Sequence, residues 1–198
     1  VAAETLVAQG CRPVGNPLFV TAADGPHLLE LDGERPSTVL RRLFDSLSAR
    51  EQELLQYSLF LGVALPGRRP AHRHGDFLIR NIGGLDPETG TLVVGAELEP
   101  GQVVQFHLRD ARTSAEDLRA LLESSAAAAD PPSGALLFSC LGRGAGLYGQ
   151  PGHDSDLILE HLGPLPLTGF FCNGEIGPVH GRTHLHGYTS SVILLRGG

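Results

Sequence analysis

The apolar residues of this chain come in short runs, and this spacing is what most limits the folds it can adopt. The longest run, at 57–65 of the 198 residues, is far shorter than the roughly 20 apolar residues of a membrane-spanning helix. Glycines and prolines, 26 and 14 in number, separate these runs as turn residues separate strands. Regular β-α-β units are few. The pattern predicts an α+β fold, with a mixed, mainly antiparallel β-sheet and helices packed on its face.

Turn and capping residues predict the elements of the first half. A hairpin is expected at 17–35, with its turn at 24–26. A helix should begin at Pro36, and a second short helix at Ser48, whose side chain can form a capping box with Glu51. The remaining elements of this half are strands in SLFLGVALP, DFLIRNI, TLVVGAEL and QVVQFHLRD, and a surface loop at 66–75 that contains His72 and His74.

The second half alternates helices and strands around a glycine-rich loop. A helix is expected at 115–129, capped by Thr113 or Ser114 and stopped by the prolines that follow Asp130. The loop GRGAGLYGQPGHD follows the short strand GALLFSC and precedes the helix DSDLILEHL. Further strands are expected in PLTGFFC and GYTSSVILL.

Composition excludes several classes of function. The net charge is −7, and the 15 basic residues are all arginines scattered along the chain, so no nucleic-acid partner is expected. Without lysine, the chain offers neither a Schiff-base catalyst nor a P-loop lysine. Cys11, Cys140 and Cys172 show no paired spacing, which favours a reducing compartment, the cytoplasm. The short apolar runs give no reason to expect membrane contact.

The glycine-rich loop is the first candidate binding site. Arg143 lies between Gly142 and Gly144, whose backbones can approach a ligand closely. Successive backbone N–H groups there can form an anion-binding nest, and the planar guanidinium matches a carboxylate. The alternative interpretation is a plain glycine turn with an arginine on the surface.

Glu175, between Gly174 and Gly177, is the second candidate and is expected on a turn that presents its carboxylate to a pocket. If Arg143 shares that pocket, the pair would hold a zwitterion such as an amino acid, with Glu175 binding the ammonium group. The alternatives are a salt bridge between the two side chains or separate positions in solvent.

His180, His184 and His186 raise the question of a metal, but their spacing fits no familiar zinc pattern, and no metal site is predicted. Two interpretations of these histidines remain. They are exposed to solvent in a loop, or His186 has a catalytic role. Cys140 with His186 is the enzymatic alternative, as the thiol and base of a hydrolase or transferase. A structural cysteine at the end of a strand would look the same in sequence.

Taken in order, four segments resemble FIST proteins: QGCRPVGNPLFVT with LELDG, NIGGLDPETGTLVVGAELEPGQVVQFHLRDA, GALLFSCLGRG, and GFFCNGEIGPVHG with LHGYTSS. The resemblance implies an intracellular sensory module for signal transduction that binds a small ligand, for which amino acids are suggested, rather than an enzyme. It implies no cofactor. The pocket residues that carry over by position are Cys140, Arg143, Asn173, Gly174, Glu175 and His186, with Cys172 a weaker candidate. Gly142 and Gly144 join them as ligand-binding candidates because they flank Arg143 in the glycine-rich loop.

The resemblance covers nearly the whole chain and implies its domains. Residues 1–34 resemble the end of a FIST N-terminal domain, and residues 35–198 resemble a FIST C-terminal domain. The sequence contains no kinase, receptor or cyclase segment, so either the module stands alone or an output domain or signalling partner lies outside this chain. Apolar surface left by a missing part of the N-terminal domain is expected to be exposed or to pair with a second copy, as a homodimer.

Overall fold

The structure, a computed structural model, describes residues 1–65, 75–128 and 130–197. The loop predicted at 66–75, with His72 and His74, lies outside the described residues except for Gly75. The strands are β1 (Ala2–Gln9), β2 (Cys11–Asp24), β3 (His27–Leu31), β4 (Leu59–Ala64), β5 (Phe77–Leu85), β6 (Leu92–Val94), β7 (Val103–Arg109), β8 (Pro132–Cys140), β9 (Leu167–Cys172), β10 (Glu175–Val179), β11 (Arg182–His186) and β12 (Thr189–Arg196). The helices are α1 (Pro36–Ser46), α2 (Ala49–Ser58), α3 (Ala111–Ala126), α4 (Ala145–Tyr148) and α5 (His153–Leu162).

The chain divides into two compact units, one made of Cys11–Arg109 and the other of Val1–Gly10 with Asp110–Gly198. Each unit has a hydrophobic core of its own. Strands and helices occur in both, and most strand pairs are antiparallel, which confirms the α+β fold expected from the sequence. Among the described residues, no helix is long and apolar enough to cross a membrane.

The Cys11–Arg109 unit is a closed barrel of six strands in the order β2-β3-β6-β5-β4-β7. Its hairpin between β2 and β3 confirms the predicted turn, although the first strand begins at Cys11 rather than at 17. Helix α1 begins at Pro36 as expected and buries Val39 and Leu43 against the barrel core. The capping box also forms, since the Ser48 backbone N–H donates to Glu51 Oε2 at 2.9 Å.

The other unit is built on a four-stranded sheet in the order β1-β12-β8-β9. The pairs β1–β12 and β12–β8 are antiparallel, while β9 runs parallel to β8. Helices α3 and α5 contribute Leu118, Leu122, Leu157 and Ile158 to a core with the inward side chains of β1, β8 and β12. The β10–β11 hairpin packs near the other face, where Ser191 Oγ donates to the Ile176 carbonyl.

Two expectations about helix α3 are wrong. It begins at Ala111, with Asp110 as its N-cap, whose carboxylate accepts the Arg112 backbone N–H at 2.9 Å. Thr113 and Ser114 therefore lie inside the first turn, because the helix started as soon as β7 ended and an Asp was in position to cap it. The helix ends at Ala126, short of the predicted 129.

Candidate functional site

The loop after β8 places Arg143 inside the protein. The Arg143 backbone N–H donates to the Cys140 carbonyl at 2.9 Å, which folds the chain back on the end of the strand. Gly144 follows with a φ of 78°, a conformation that favours glycine, and a Cβ there would lie 3.2 Å from the Phe171 ring. The Arg143 residue is 3% exposed, so the interpretation as a surface arginine is wrong.

Asp154, in the first turn of α5, neutralises Arg143. Nε of Arg143 donates to Oδ2 at 2.7 Å and Nη2 donates to Oδ1 at 3.1 Å, a bidentate ion pair in which both side chains are buried. Burial alone would raise the pKa of Asp154. The hydrogen bonds and charge of Arg143, helped by Ser190 and His153, instead hold this pKa well below its usual range.

Two serines complete the coordination of that carboxylate. Ser139 on β8 and Ser190 on β12 are direct partners in the antiparallel register, so their side chains share the sheet face covered by α5. Their hydroxyls donate to Asp154 Oδ2 at 3.1 and 2.7 Å and lie 2.7 Å from each other. The Asp154 carboxylate is therefore saturated and serves as an anchor for Arg143.

Two aromatic rings, those of Tyr148 and His153, pack beside the ion pair. The Tyr148 ring stacks on His153 with 3.5 Å between centroids, and its face lies 5.6 Å from the Arg143 guanidinium carbon. Burial raises the pKa of Tyr148 to about 12, so the phenol stays neutral, and its oxygen lies 2.8 Å from Ser114 Oγ. His153 Nδ1–H donates to Asp154 Oδ1 at 3.1 Å, because an ionised carboxylate can only accept.

The third nitrogen of the Arg143 guanidinium, Nη1, takes no part in the ion pair with Asp154. This atom is buried and has no hydrogen-bond partner among the residues that the structure describes. Gly10 borders this atom, since a Cβ on Gly10 would lie 3.5 Å from Nη1 and 2.8 Å from the Tyr188 carbonyl oxygen. A buried donor without an acceptor costs about 1–3 kcal/mol, and more when it is charged, unless water or a ligand supplies one.

Glu175 is also buried, but in a second cluster. It lies at the start of strand β10 rather than on the turn expected from its glycines, and it is 1% exposed. Oε2 accepts the Thr189 backbone N–H at 3.2 Å and the Thr189 hydroxyl at 2.9 Å. The Cys172 thiol lies 3.5 Å from Oε1. Burial raises the pKa of Glu175, although the Thr189 bonds and the charge of Arg143 oppose this effect.

The alternation of β12 explains why there are two clusters. Thr189 and Ser190 are neighbours on this strand, so their side chains point to opposite faces of the sheet. Ser190 reaches Asp154 on the α5 side, and Thr189 reaches Glu175 on the other. Arg143 and Glu175 interact through their charges but, in the described part of the chain, form no ion pair with each other. Neither alternative to a shared pocket, a direct salt bridge or separate positions in solvent, is found in the described residues.

The other predicted pocket residues divide between these clusters and the surface. Cys140 is buried and pairs in register with Cys172 across β8 and β9. His186 is buried and faces Glu175 across the β10–β11 hairpin, and its Nε2–H donates to the Gly177 carbonyl at 3.0 Å. Gly174 is half-buried, while Gly142 and Asn173 are exposed. Within the described ranges, no three His, Cys, Asp or Glu side chains form a group that could hold a metal ion.

A cleft of about 470 Å³ lies beside the first cluster, within the unit that contains β8 and α5. Leu137, Leu167 and Phe171 supply apolar wall, and Ser139 and Asp154 supply polar groups. Its volume is in the range of small-ligand pockets. Of the residues predicted from the sequence to bind a ligand, Gly144 alone is among those lining the cleft.

Sequence reasoning missed Asp154, Ser139, Ser190, Thr189 and Tyr148. A signal existed for Asp154, because an acidic residue in the first turn of a helix is favourable and stands next to a histidine in GHD. The two serines had a weaker signal, polar residues at the ends of otherwise apolar strands. Only the register of β8 against β12 brings them together.

The structure thus defines an α+β protein with a buried arginine–carboxylate network at the ends of its central strands. The family model described as the FIST C domain matches residues 37–178, and the chain belongs to this family. FIST C domains are a family of sensory and signal-transduction domains, as the resemblance found in the sequence implied.

Relatives of the chain occur in bacteria and in plants. It is 44% identical over 191 residues to a protein of Mycobacterium tuberculosis whose name is "Uncharacterized protein", covering 96% of this chain and 50% of the relative. A Mycobacterium bovis protein with the same kind of name is 43% identical over 190 residues, covering 96% of this chain and 49% of the relative. An Arabidopsis thaliana F-box/LRR-repeat protein is 35% identical over 91 residues, 43% of this chain and 17% of its own length. The chain spans about half the length of its mycobacterial relatives.

Proposed function

We propose that the chain is a sensory domain that binds a small zwitterionic ligand of the amino-acid type beside Arg143. The observation that carries this proposal is the buried Nη1 of Arg143, which has no acceptor among the described residues. A ligand carboxylate would supply that acceptor, and charge-assisted hydrogen bonds of this kind are among the stronger ones in proteins.

We propose that Glu175, in the second cluster, binds the ammonium group of the same ligand. Its carboxylate is buried, lies within the electrostatic reach of Arg143, and has a pKa that burial raises. A ligand ammonium group would stabilise the charged form of Glu175. Cys140, Asn173, Gly174 and His186 belong to the same proposal as residues that shape the neighbourhood of Glu175, and Gly142 and Gly144 shape that of Arg143.

We propose the same division into family domains as the sequence predicted, with residues 1–34 as the end of a FIST N-like domain and 35–198 as the FIST C-like domain. This division follows family resemblance and differs from the two compact units, since its boundary lies inside Cys11–Arg109. The family match from residue 37 supports the second part. The output of the sensor would lie outside this chain. We propose a cytoplasmic location, because the spacing of the three cysteines suggests no disulfide framework. The catalytic pair of Cys140 and His186 stays a prediction. In the structure, the Nε2–H of His186 donates to a backbone carbonyl.

Calorimetric titration with the twenty amino acids tests the proposed function. Glu175→Gln is the informative variant, because a Gln carbonyl can still accept from Thr189 while the negative charge is removed. Hydrogen bonds to charged groups contribute about 1.5–3 kcal/mol, so the affinity should fall by roughly 10-fold to 150-fold. The exposed Glu160→Gln is the matched control and should bind as the parent does.

Two results would contradict the proposal. One is a parent protein that binds none of the amino acids at millimolar concentration. The other is an amino acid that binds the Glu175→Gln variant as tightly as it binds the parent.

A further inference from the structure

Strand β9 forms an outer edge of the four-stranded sheet, and its residues do not block pairing with another strand along that edge. Its residues are mostly exposed, with Phe170 at 65% and Phe171 at 56%. From Leu165 to Cys172 the sequence contains no charged residue. Exposed edge strands usually carry charges, prolines or bulges that prevent pairing with another chain. The β9 strand has none of these between Leu167 and Cys172, so its edge is suited to a partner strand.

The hydrogen bonds to β8 show which backbone groups of β9 are available. Ala135 N–H donates to the Pro166 carbonyl at 2.9 Å, and Leu141 N–H donates to the Cys172 carbonyl at 3.0 Å. Even-numbered residues of β9 therefore face β8, because backbone groups alternate sides along a strand. The N–H and C=O groups of Leu167, Gly169 and Phe171 point to the outer edge.

We propose that two copies of the chain dimerise by antiparallel pairing of β9 with β9 about a two-fold axis at Gly169. In this register Leu167 faces Phe171 of the other copy, Gly169 faces Gly169, and each of the three outward residues both donates and accepts. A two-fold interface uses the same patch on both subunits, and this stretch is self-complementary. The result is one continuous eight-stranded sheet, since each copy contributes the four strands of its own sheet.

The side chains support this occupant. Leu167 and Phe171 line the cleft on the α5 face, so cross-strand pairs of Leu167 with Phe171 would place apolar groups of each copy over the mouth of the other's cleft. On the opposite face, Phe170 already packs edge-on against Phe138 at 5.1 Å, and Thr168 of the second copy would extend this patch. Gly169 leaves no choice of side chain, because a Cβ there would lie 1.8 Å from the Leu137 carbonyl oxygen.

Sedimentation equilibrium over a micromolar concentration range tests the dimer. The parent should change from monomer to dimer as its concentration rises. Thr168→Lys, at an exposed position opposite Phe170 of the partner copy, should weaken association by about tenfold or more. Thr168→Ser keeps the hydroxyl and should associate normally. Ser124→Lys adds the same charge on the exposed side of α3 and should also associate normally.

Amide hydrogen exchange distinguishes this dimer from any other. The outward amides of Gly169 and Phe171 should exchange more slowly as the parent dimerises, and Thr168→Lys should abolish that protection. A parent that stays monomeric throughout the range would overturn the proposal. So would a dimer that Thr168→Lys does not weaken, or one in which these two amides gain no protection. The proposal does not depend on the amino-acid ligand, so the two can fail separately.

Discussion

At the scale of single residues, two buried carboxylates, those of Asp154 and Glu175, are neutralised to different degrees. Asp154 is bound by Arg143, Ser139, Ser190 and His153, so its negative charge is fully compensated. Among the residues that the structure describes, the groups bonded to the Glu175 oxygens are the N–H and hydroxyl of Thr189 and the thiol of Cys172. The raised pKa of Glu175 and the lowered pKa of Asp154 follow from this difference.

Glu175→Gln should raise the free energy of unfolding at pH 7. A carboxyl whose pKa is raised on folding binds protons more tightly in the folded state, so the folded state loses stability as pH rises through that pKa. The variant removes this cost and keeps the Thr189 bonds. The difference from the parent should disappear below about pH 4, where the carboxyl is protonated in both states.

Urea unfolding of the parent and Glu175→Gln from about pH 3 to pH 8 measures the effect, with exposed Glu160→Gln as the control. A variant less stable than the parent at pH 7 would show that the negative charge of Glu175 is compensated in the unliganded protein. The pKa attributed to burial would then be wrong.

At the scale of elements, the cap of α3 is the clearest local test. Asp110→Ala should cost about 1 kcal/mol of unfolding free energy, because the Arg112 backbone N–H loses its acceptor. Thr113→Ala is the matched comparison and should cost much less, since Thr113 lies inside the helix and alanine is the better helix former. Chemical denaturation of the parent and both variants measures these two losses of unfolding free energy. Equal costs, or a larger cost for Thr113→Ala, would contradict the assigned cap.

The elements also show what could be read from the sequence and what could not. The capping box at Ser48, the start of α1 at Pro36 and the β2–β3 turn are local signals, and all three are confirmed. Strand β1 was missed because its support is distant, with Ala2 paired to Arg196 at the other end of the chain. The β10–β11 hairpin was missed because its glycines and histidines resemble a loop.

In the candidate site, too, the residues with local signals could be predicted from the sequence, and their distant contacts could not. Arg143 and Glu175 could be chosen from their glycine neighbours and from the FIST resemblance, and both are buried. Their true partners could not be chosen. Asp154 is 11 residues from Arg143, and Ser139 is 51 residues from Ser190, so sheet register and loop path decide these contacts. The spacing of glycines predicts neither the register of the sheet nor the path of the loop.

At the scale of the whole molecule, each of the two compact units has a separate hydrophobic core. Leu61 belongs to the core of the barrel unit and Leu122 to that of the sheet unit, and both are fully buried. Leu61→Ala and Leu122→Ala should each cost about 2–5 kcal/mol. Because no described residue belongs to both cores, the double variant should lose the sum of the two costs to within about 0.5 kcal/mol.

Denaturant unfolding of the two single variants and the double variant completes this cycle. The exposed Leu159→Ala is a control that should cost far less than either core substitution. A coupling energy well above 0.5 kcal/mol would show that the cores are not independent.

The position of β12 sets an order of events during synthesis of the protein. It is the last of the described strands in sequence order, yet it lies between β1 and β8 and pairs with both. A ribosome makes the barrel unit, Cys11–Arg109, well before these residues, so that unit can fold while translation continues. The sheet unit must wait for residues 189–196 to leave the exit tunnel. Until then β1 and β8 lack the strand that joins them, and the nascent chain exposes apolar surface that invites chaperones.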